Sequence, residues 1–141
     1  MTNITIAIEP ELSAAEFIDV LTRSTLHLRR PVDDVGRIAA MLRNADIIAA
    51  ARDERGMLIG VARAISDFAY CTYLSDLAVD QSLQRTGIGR QLMDAIRQAA
   101  GATSSLILLA APAAVEYYPK FGMQLHPSCW TLPAPVSKQQ S

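Results

Sequence analysis

Between Tyr70 and Ala111 the hydrophobic pattern changes period three times. Tyr70 to Val79 is a β-rich run. Gln84-Arg85-Thr86-Gly87-Ile88-Gly89 follows as a glycine turn. From Gly87 to Ala100, Ile88, Leu92, Ala95, Ile96 and Ala99 recur at helical spacing. Leu106 to Ala111 is then continuously apolar, as a strand covered on both faces is. Strand, turn, helix and buried strand in that order require a helix-linked strand pair inside a sheet with helices packed on it.

The rest of the chain supplies hairpin strands and two more helices. Ile4, Ile6 and Ile8 alternate with Thr5 and Ala7, which predicts a strand ended by Pro10. Ser13 with Glu16 three residues on is a capping box for a helix burying Phe17 and Leu21 and ending near Thr25. Pro31 to Asp34 open a second helix, with Val35, Ile38, Ala39 and Leu42 inward. Asp46–Arg52 and Met57–Ser66 read as strands joined through Asp53-Glu54-Arg55-Gly56. Ala113 to Phe121 reads as a short helix, and Met123 to Leu132 as one or two last strands. The predicted order is βααβββαβαβ, a mixed α/β (α+β) sandwich in one domain over residues 1–133. Residues 134–141, rich in Pro, Ser, Lys and Gln, read as a loose tail.

Composition excludes several classes. The 141 residues hold 13 Lys+Arg against 14 Asp+Glu, a net charge of -1. That balance gives no general attraction to nucleic acid or to an anionic membrane. Half of the chain is apolar, enough for a core, so wholesale disorder is excluded. Cys71 and Cys129 are too few for a disulfide scaffold, and no metal site is expected. The longest apolar run, Leu106 to Val115, is about half a membrane span. With no signal-like N-terminal segment, the expectation is a cytoplasmic protein with a small partner.

The glycine turn carries the chemistry. Gly87 and Gly89 let a ligand approach the backbone where no Cβ intervenes. The first amides of a helix are unpaired and its dipole is positive there. Arg85 and Arg90 add two formal charges. A di- or polyphosphate fits such a site. A Walker loop would need a lysine that is absent here. A dinucleotide fingerprint would need a third glycine where Leu92 stands. The pattern that Gln84, Gly87 and Gly89 satisfy is Q/R-x-x-G-x-G/A.

On these residues the chain resembles the GNAT superfamily of acetyl-CoA-dependent N-acetyltransferases. The resemblance spans Asp46 to Met123 and is strongest from Leu74 to Gly89. Ala114-Val115-Glu116-Tyr117-Tyr118-Pro119-Lys120-Phe121-Gly122-Met123 is similar to a second family segment, A-x-x-F-Y-x-K-x-G-F. The resemblance implies a mixed, mostly antiparallel sheet whose splayed strand pair binds acetyl-CoA as co-substrate. Leu77, Ala78 and Val79 would bind the pantetheine arm, and Gln84, Arg85, Thr86, Gly87, Ile88, Gly89 and Arg90 would wrap the pyrophosphate. The family often has Asn a few residues before the tyrosine; this chain has Ala110-Ala111-Pro112 there.

Acetyl transfer to an amine requires the amine to lose a proton and the thiolate to be stabilised. Tyr118 aligns with the family tyrosine that donates to the sulfur, while Tyr117 stands where the family has Phe and reads as packing. Asp76, on the splayed strand, is the candidate base, with Glu116 and Asp67 behind it and water chains as an alternative. His27, Arg29 and Arg30 lie in the helix link that would wall the acceptor pocket. Cys71 and Trp130 read as packing residues. The implied activity is transfer to a primary amine of a small molecule by direct attack in a ternary complex. A protein or peptide N-acetyltransferase and a non-catalytic acyl-CoA-binding module are the alternatives. The apolar C-terminal region is compatible with a homodimer.

Overall fold

The computed structural model describes residues 3–136. Among the described residues five strands form one sheet in the order β1-β2-β3-β4-β5. They are β1 (Thr5–Ile8), β2 (Ile47–Arg52), β3 (Leu58–Ser66), β4 (Cys71–Val79) and β5 (Ser105–Leu108). The first three pairings are antiparallel and β4–β5 is parallel. The helices are α1 (Ala14–Ser24), α2 (Val35–Arg43) and α3 (Ile88–Ala100), with a 3-10 turn, Leu26–Arg29, after α1.

Local chemistry sets the ends of these elements. Ser13 Oγ accepts the Glu16 amide at the start of α1, and Asp34 accepts the Arg37 amide at the start of α2. Both satisfy amides that a helix start leaves open. Gly56, at φ 81°, closes the β2–β3 turn, and Asp53 Oδ1 accepts the amides of Arg55 and Met57.

Helices cover both faces of the sheet. On one face α1 and α2 bury Phe17, Val20, Leu21 and Ile38 against Ile48, Ala50 and Val61. On the other, α3 lays Ile88, Leu92, Met93 and Ile96 on Ala49, Ala51, Ala62 and Ala64. The small residues of β2 and β3 draw α3 close to the sheet. Gly60 takes this furthest: a Cβ there would stand 3.0 Å from Leu92 Cδ1 and 3.3 Å from Ile88 Cγ2.

The expected order holds through β5 and then departs from the reading. Instead of one helix over 113–121, two 3-10 turns form, Pro112–Ala114 and Tyr118–Phe121. Pro119 has no N–H to continue an α-helix through the segment, and Gly122 ends the second turn at φ 80°. Met123 to Leu132 forms no strand. Its apolar side chains find no face to cover: Leu125 is 94% exposed and Trp130 91%, so Trp130 is no core residue of this chain. Val35, read as inward, is exposed on the first turn of α2. Of the expected tail, 134–136 continues without regular structure, and 137–141 lie outside the described residues. Among the described residues no helix is long and apolar enough to cross a membrane.

Candidate active site

β4 pairs with β3 from Ser66↔Thr72 to Gly60↔Val79, with one register shift between Leu74 and Asp76. β5 accompanies it only from Cys71↔Ser105 to Leu74↔Leu108. Beyond Leu74 the β5-facing edge of β4 is open, and the sequence-predicted Leu77, Ala78 and Val79 all lie on this stretch. A small cleft of about 70 Å³ occupies the opening. Ser75 and Leu77 of β4, Leu108 of β5, Leu26 and Arg30 of the α1–α2 link, and Tyr118 line it.

The glycine turn lies past the end of β4. Asp80 caps the 3-10 turn Gln81–Leu83, and Gln84 Nε2 donates back to the Val79 carbonyl. Arg85 (φ 68°) and Gly87 (φ 90°) are both left-handed, which turns the chain sharply into α3. No side chain caps α3. The amides of Ile88, Gly89 and Arg90 precede the first i−4 bond, from Gln91 N–H to the Gly87 carbonyl. Thr86 Oγ1 donates to the Leu83 carbonyl, and the Arg90 guanidinium sits 5.8 Å over the Phe121 ring. Open amides and the positive dipole end are the chemistry that holds an anion, and Arg85 and Arg90 stand in the same segment.

The two glycines do different work from each other. A Cβ on Gly87 would meet nothing within 4 Å, so its requirement is the positive φ. A Cβ on Gly89 would stand 2.2 Å from the Tyr117 hydroxyl. The close approach at Gly89 in this structure is thus made by the chain's own tyrosine. Tyr117 also packs edge-on against Tyr118 and Phe121, with centroids 5.2 and 4.6 Å apart. That cluster fixes the Tyr118–Phe121 turn against the start of α3.

Tyr118 lines the cleft and is partly buried. Burial, followed by the neighbouring Tyr117, pushes its phenol up to about 12. It therefore stays protonated near neutral pH and has a proton to give. Asp76 is placed differently from what a base needs. Its side chain has no exposed surface, and its two oxygens accept from Arg30 Nε and Arg63 Nε. A carboxylate sealed between two guanidiniums has no oxygen open to an amine. Asp67 is a loop cap: its exposed carboxylate accepts amides from Ala69, Tyr70 and Cys71, which hold it below the ordinary carboxylate range, the Tyr70 bond first. Glu116 is exposed. Cys71, read as packing, is exposed. Among the described residues no three His, Cys, Asp or Glu side chains are grouped to hold a metal ion.

Sequence reasoning missed the contacts that join the site to the sheet: the Arg30–Asp76–Arg63 cluster and the Tyr117–Gly89 contact. The first had a signal, since Arg63 and Asp76 are lone charges in neighbouring apolar strands and must meet a counter-charge when buried. The second had none, because it is made across the fold.

Comparisons with known proteins agree with this geometry. The family model "Acetyltransferase (GNAT) domain" matches residues 36–127. A histone acetyltransferase of Glycine max is 30% identical over 111 residues, covering 70% of this chain and 47% of that one. The chain spans about half the length of the curated relatives it matches. A GNAT-family acetyltransferase of Streptococcus pneumoniae superposes with a TM-score of 0.71 at 19% identity, covering 97% of this chain and 100% of that one. An aminoglycoside N-acetyltransferase in complex with CoA gives 0.73 at 15% identity, covering 96% and 97%. At such identities the structural likeness is one of fold. The matched family model, with the open β4–β5 pair and the glycine turn in register, assigns the chain to the GNAT acetyltransferase family.

Proposed function

We propose that the chain is an N-acetyltransferase that moves the acetyl group of acetyl-CoA to a primary amine of a small molecule, by direct attack in a ternary complex. The observation that carries the reading is the cleft at the open edge of β4, lined by Leu77 and Tyr118, with the uncapped start of α3 following the same strand in the chain.

Each part has a chemical task. The amides of Ile88, Gly89 and Arg90, with Arg85 and Arg90, hold the pyrophosphate. Gln84 and Thr86 shape the loop that presents them. The backbone of Leu77, Ala78 and Val79 pairs with the pantetheine amides as a further strand would. A β4 amide donating to the thioester carbonyl stabilises the negative charge that develops there. The neutral amine attacks that carbon, a C–N bond forms and the C–S bond breaks. The Tyr118 hydroxyl donates to the departing sulfur, and the ammonium proton leaves through water. The phenol is protonated throughout the neutral range, as a donor must be, and its upward shift makes it a weaker acid than a free tyrosine. Asp76 takes no part in proton transfer, because both of its oxygens are engaged below the cleft.

A small acceptor fits the narrow cleft, which Arg30, Ser75 and Tyr118 line beside apolar residues, and the lack of an acidic run beside it. A basic peptide would need an open acidic groove. Titration calorimetry with acetyl-CoA, followed by an acetylation screen of small amines against peptides, tests the reading. Micromolar binding and turnover of small amines are expected. No binding at millimolar acetyl-CoA overturns the assignment, and turnover of peptides alone overturns the acceptor class. Binding with only background transfer to either panel would mark a non-catalytic acyl-CoA binder.

A further inference from the structure

The sheet opens at a single residue. Arg63 pairs with Asp76 and Ala64 with Leu74, so Ser75 is an extra residue on β4 with no partner on β3. The parallel pairing with β5 stops at Leu74↔Leu108, one residue before it. A bulge leaves its own polar groups outside the ladder and bends its strand. Here those groups are gripped by two arginines from different elements. Arg63, on β3, donates through Nη2 to Ser75 Oγ at 2.9 Å and through Nε to Asp76. Arg30, at the end of the α1–α2 link, donates through Nη2 to the Ser75 carbonyl at 2.6 Å and through Nε to the other Asp76 oxygen. Arg30 Nη1 also donates to the Arg29 carbonyl at 2.8 Å. The side chains of Arg30, Arg63 and Asp76 are 6%, 7% and 0% exposed.

Buried ion clusters are a poor source of net stability, because desolvation offsets most of their attraction. Geometry is what this one supplies. Each guanidinium presents two diverging N–H groups, one to the carboxylate and one to the bulged serine, a task that a point charge cannot perform. Arg30 also faces the cleft, so one side chain joins the acceptor wall to the point where the strands part.

We propose that Arg30 and Arg63 are positioning residues for acetyl transfer: through Ser75 and Asp76 they hold the β4 bulge, and so fix the opening in which acetyl-CoA lies and its alignment with the acceptor wall. The link to acetyl-CoA rests on the function proposed above; the clasp on the bulge does not.

Arg30→Lys and Arg63→Lys keep both charges and remove the fork, which separates geometry from charge. The full chain and both variants are compared by thermal melting, hydrogen exchange of the ligand-free protein and titration with acetyl-CoA. Folded variants are expected to exchange about tenfold faster across residues 75–79 with α3 unchanged, since the loss is local. Acetyl-CoA is expected to bind them about tenfold more weakly. Folded variants with unaltered exchange across 75–79 overturn the proposal, as does faster exchange with unaltered acetyl-CoA affinity. If the parent chain itself fails to bind acetyl-CoA, the proposed function falls and the exchange data alone decide the clasp. Should Arg63→Lys not fold, Ser75→Ala takes its place. It deletes the hydroxyl that Arg63 Nη2 and the Tyr73 side chain both contact, and a local rise in exchange is again required.

Discussion

Tyr118 and Tyr117 are neighbours in the chain with the same side chain and different surroundings. Tyr118 lies in the cleft with its phenol raised to about 12 by burial, while Tyr117 aims its hydroxyl at Gly89. Tyr118→Phe should lower kcat by about 10²-fold, the lower range for a positioned proton donor, with acetyl-CoA affinity within about twofold. Steady-state kinetics beside calorimetry measures both; an unchanged kcat removes Tyr118 from the reaction. The raised value also has a sign for stability. The folded state keeps the phenolic proton after the unfolded chain has lost it, so stability falls as pH rises from about 10 towards 12. Tyr118→Phe should flatten that limb in denaturation curves taken at alkaline pH. At Gly89 the prediction is a coupling. Gly89→Ala alone forces Tyr117 out of the aromatic cluster and should weaken acetyl-CoA binding. Adding Tyr117→Phe removes the atom at 2.2 Å and should restore part of the loss, an interaction of about 1 kcal/mol in a double-mutant cycle. Strictly additive effects would show that the contact has no consequence.

Elements in this fold are joined by a few side chains of high consequence. Arg52 at the end of β2 binds Glu9 after β1 and Glu16 in α1, at 2.8 and 2.7 Å. Hydrogen bonding to Arg52 is the chief cause that holds the Glu16 carboxyl below its ordinary 4.5. The stability this supplies is present above pH 4.5 and is lost as pH falls through the lower folded value. Arg52→Ala should therefore cost about 1 kcal/mol or less near neutral pH, since these groups are partly exposed, and should make the acid limb shallower. Acid titrations followed by circular dichroism check the slope; an unaltered limb refutes it. Between α3 and the sheet the controlling position is Gly60. Gly60→Ala places a methyl against Leu92 and Ile88 and should destabilise by about 1–3 kcal/mol, read as a lowered Tm. The capping box at Ser13–Glu16, the Asp53–Gly56 turn and the helical face of α3 were legible because each depends on residues within one turn of chain. The helix expected over 113–121 was misread for the same local reason. The apolar spacing suggested it, while Pro119 and the packing of Tyr117 on α3 favour two tight turns.

The described residues form two cores on opposite faces of one sheet, and Met123 is the last residue packed on either. Past that point Leu125, Trp130, Leu132 and Val136 are each more than nine-tenths exposed. A chain ending at Met123 should melt within about 2 °C of the full chain, because burial worth 1 kcal/mol would shift Tm by several degrees. Trp130 emission should be quenched freely by acrylamide. A larger fall in Tm, or a shielded Trp130, would mean that this segment is covered in solution.

Net charge near zero hides a site of concentrated positive character. The place of the proposed phosphate site was legible in the sequence, since Gly87, Gly89, Arg85 and the helix after them are contiguous and their backbone chemistry is local. So were the helix-linked strand pair and the position of Tyr118. Tertiary structure decided how far the pair stays joined, because the pairing limit depends on β5, 30 residues and more along the chain from its β4 partners. It decided that Gly89 answers to Tyr117. It decided too that both oxygens of Asp76, the carboxylate the sequence offered as a base, are engaged by Arg30 and Arg63. A charge has its role set by what the fold places within hydrogen-bonding reach, and spacing along the chain does not carry that information.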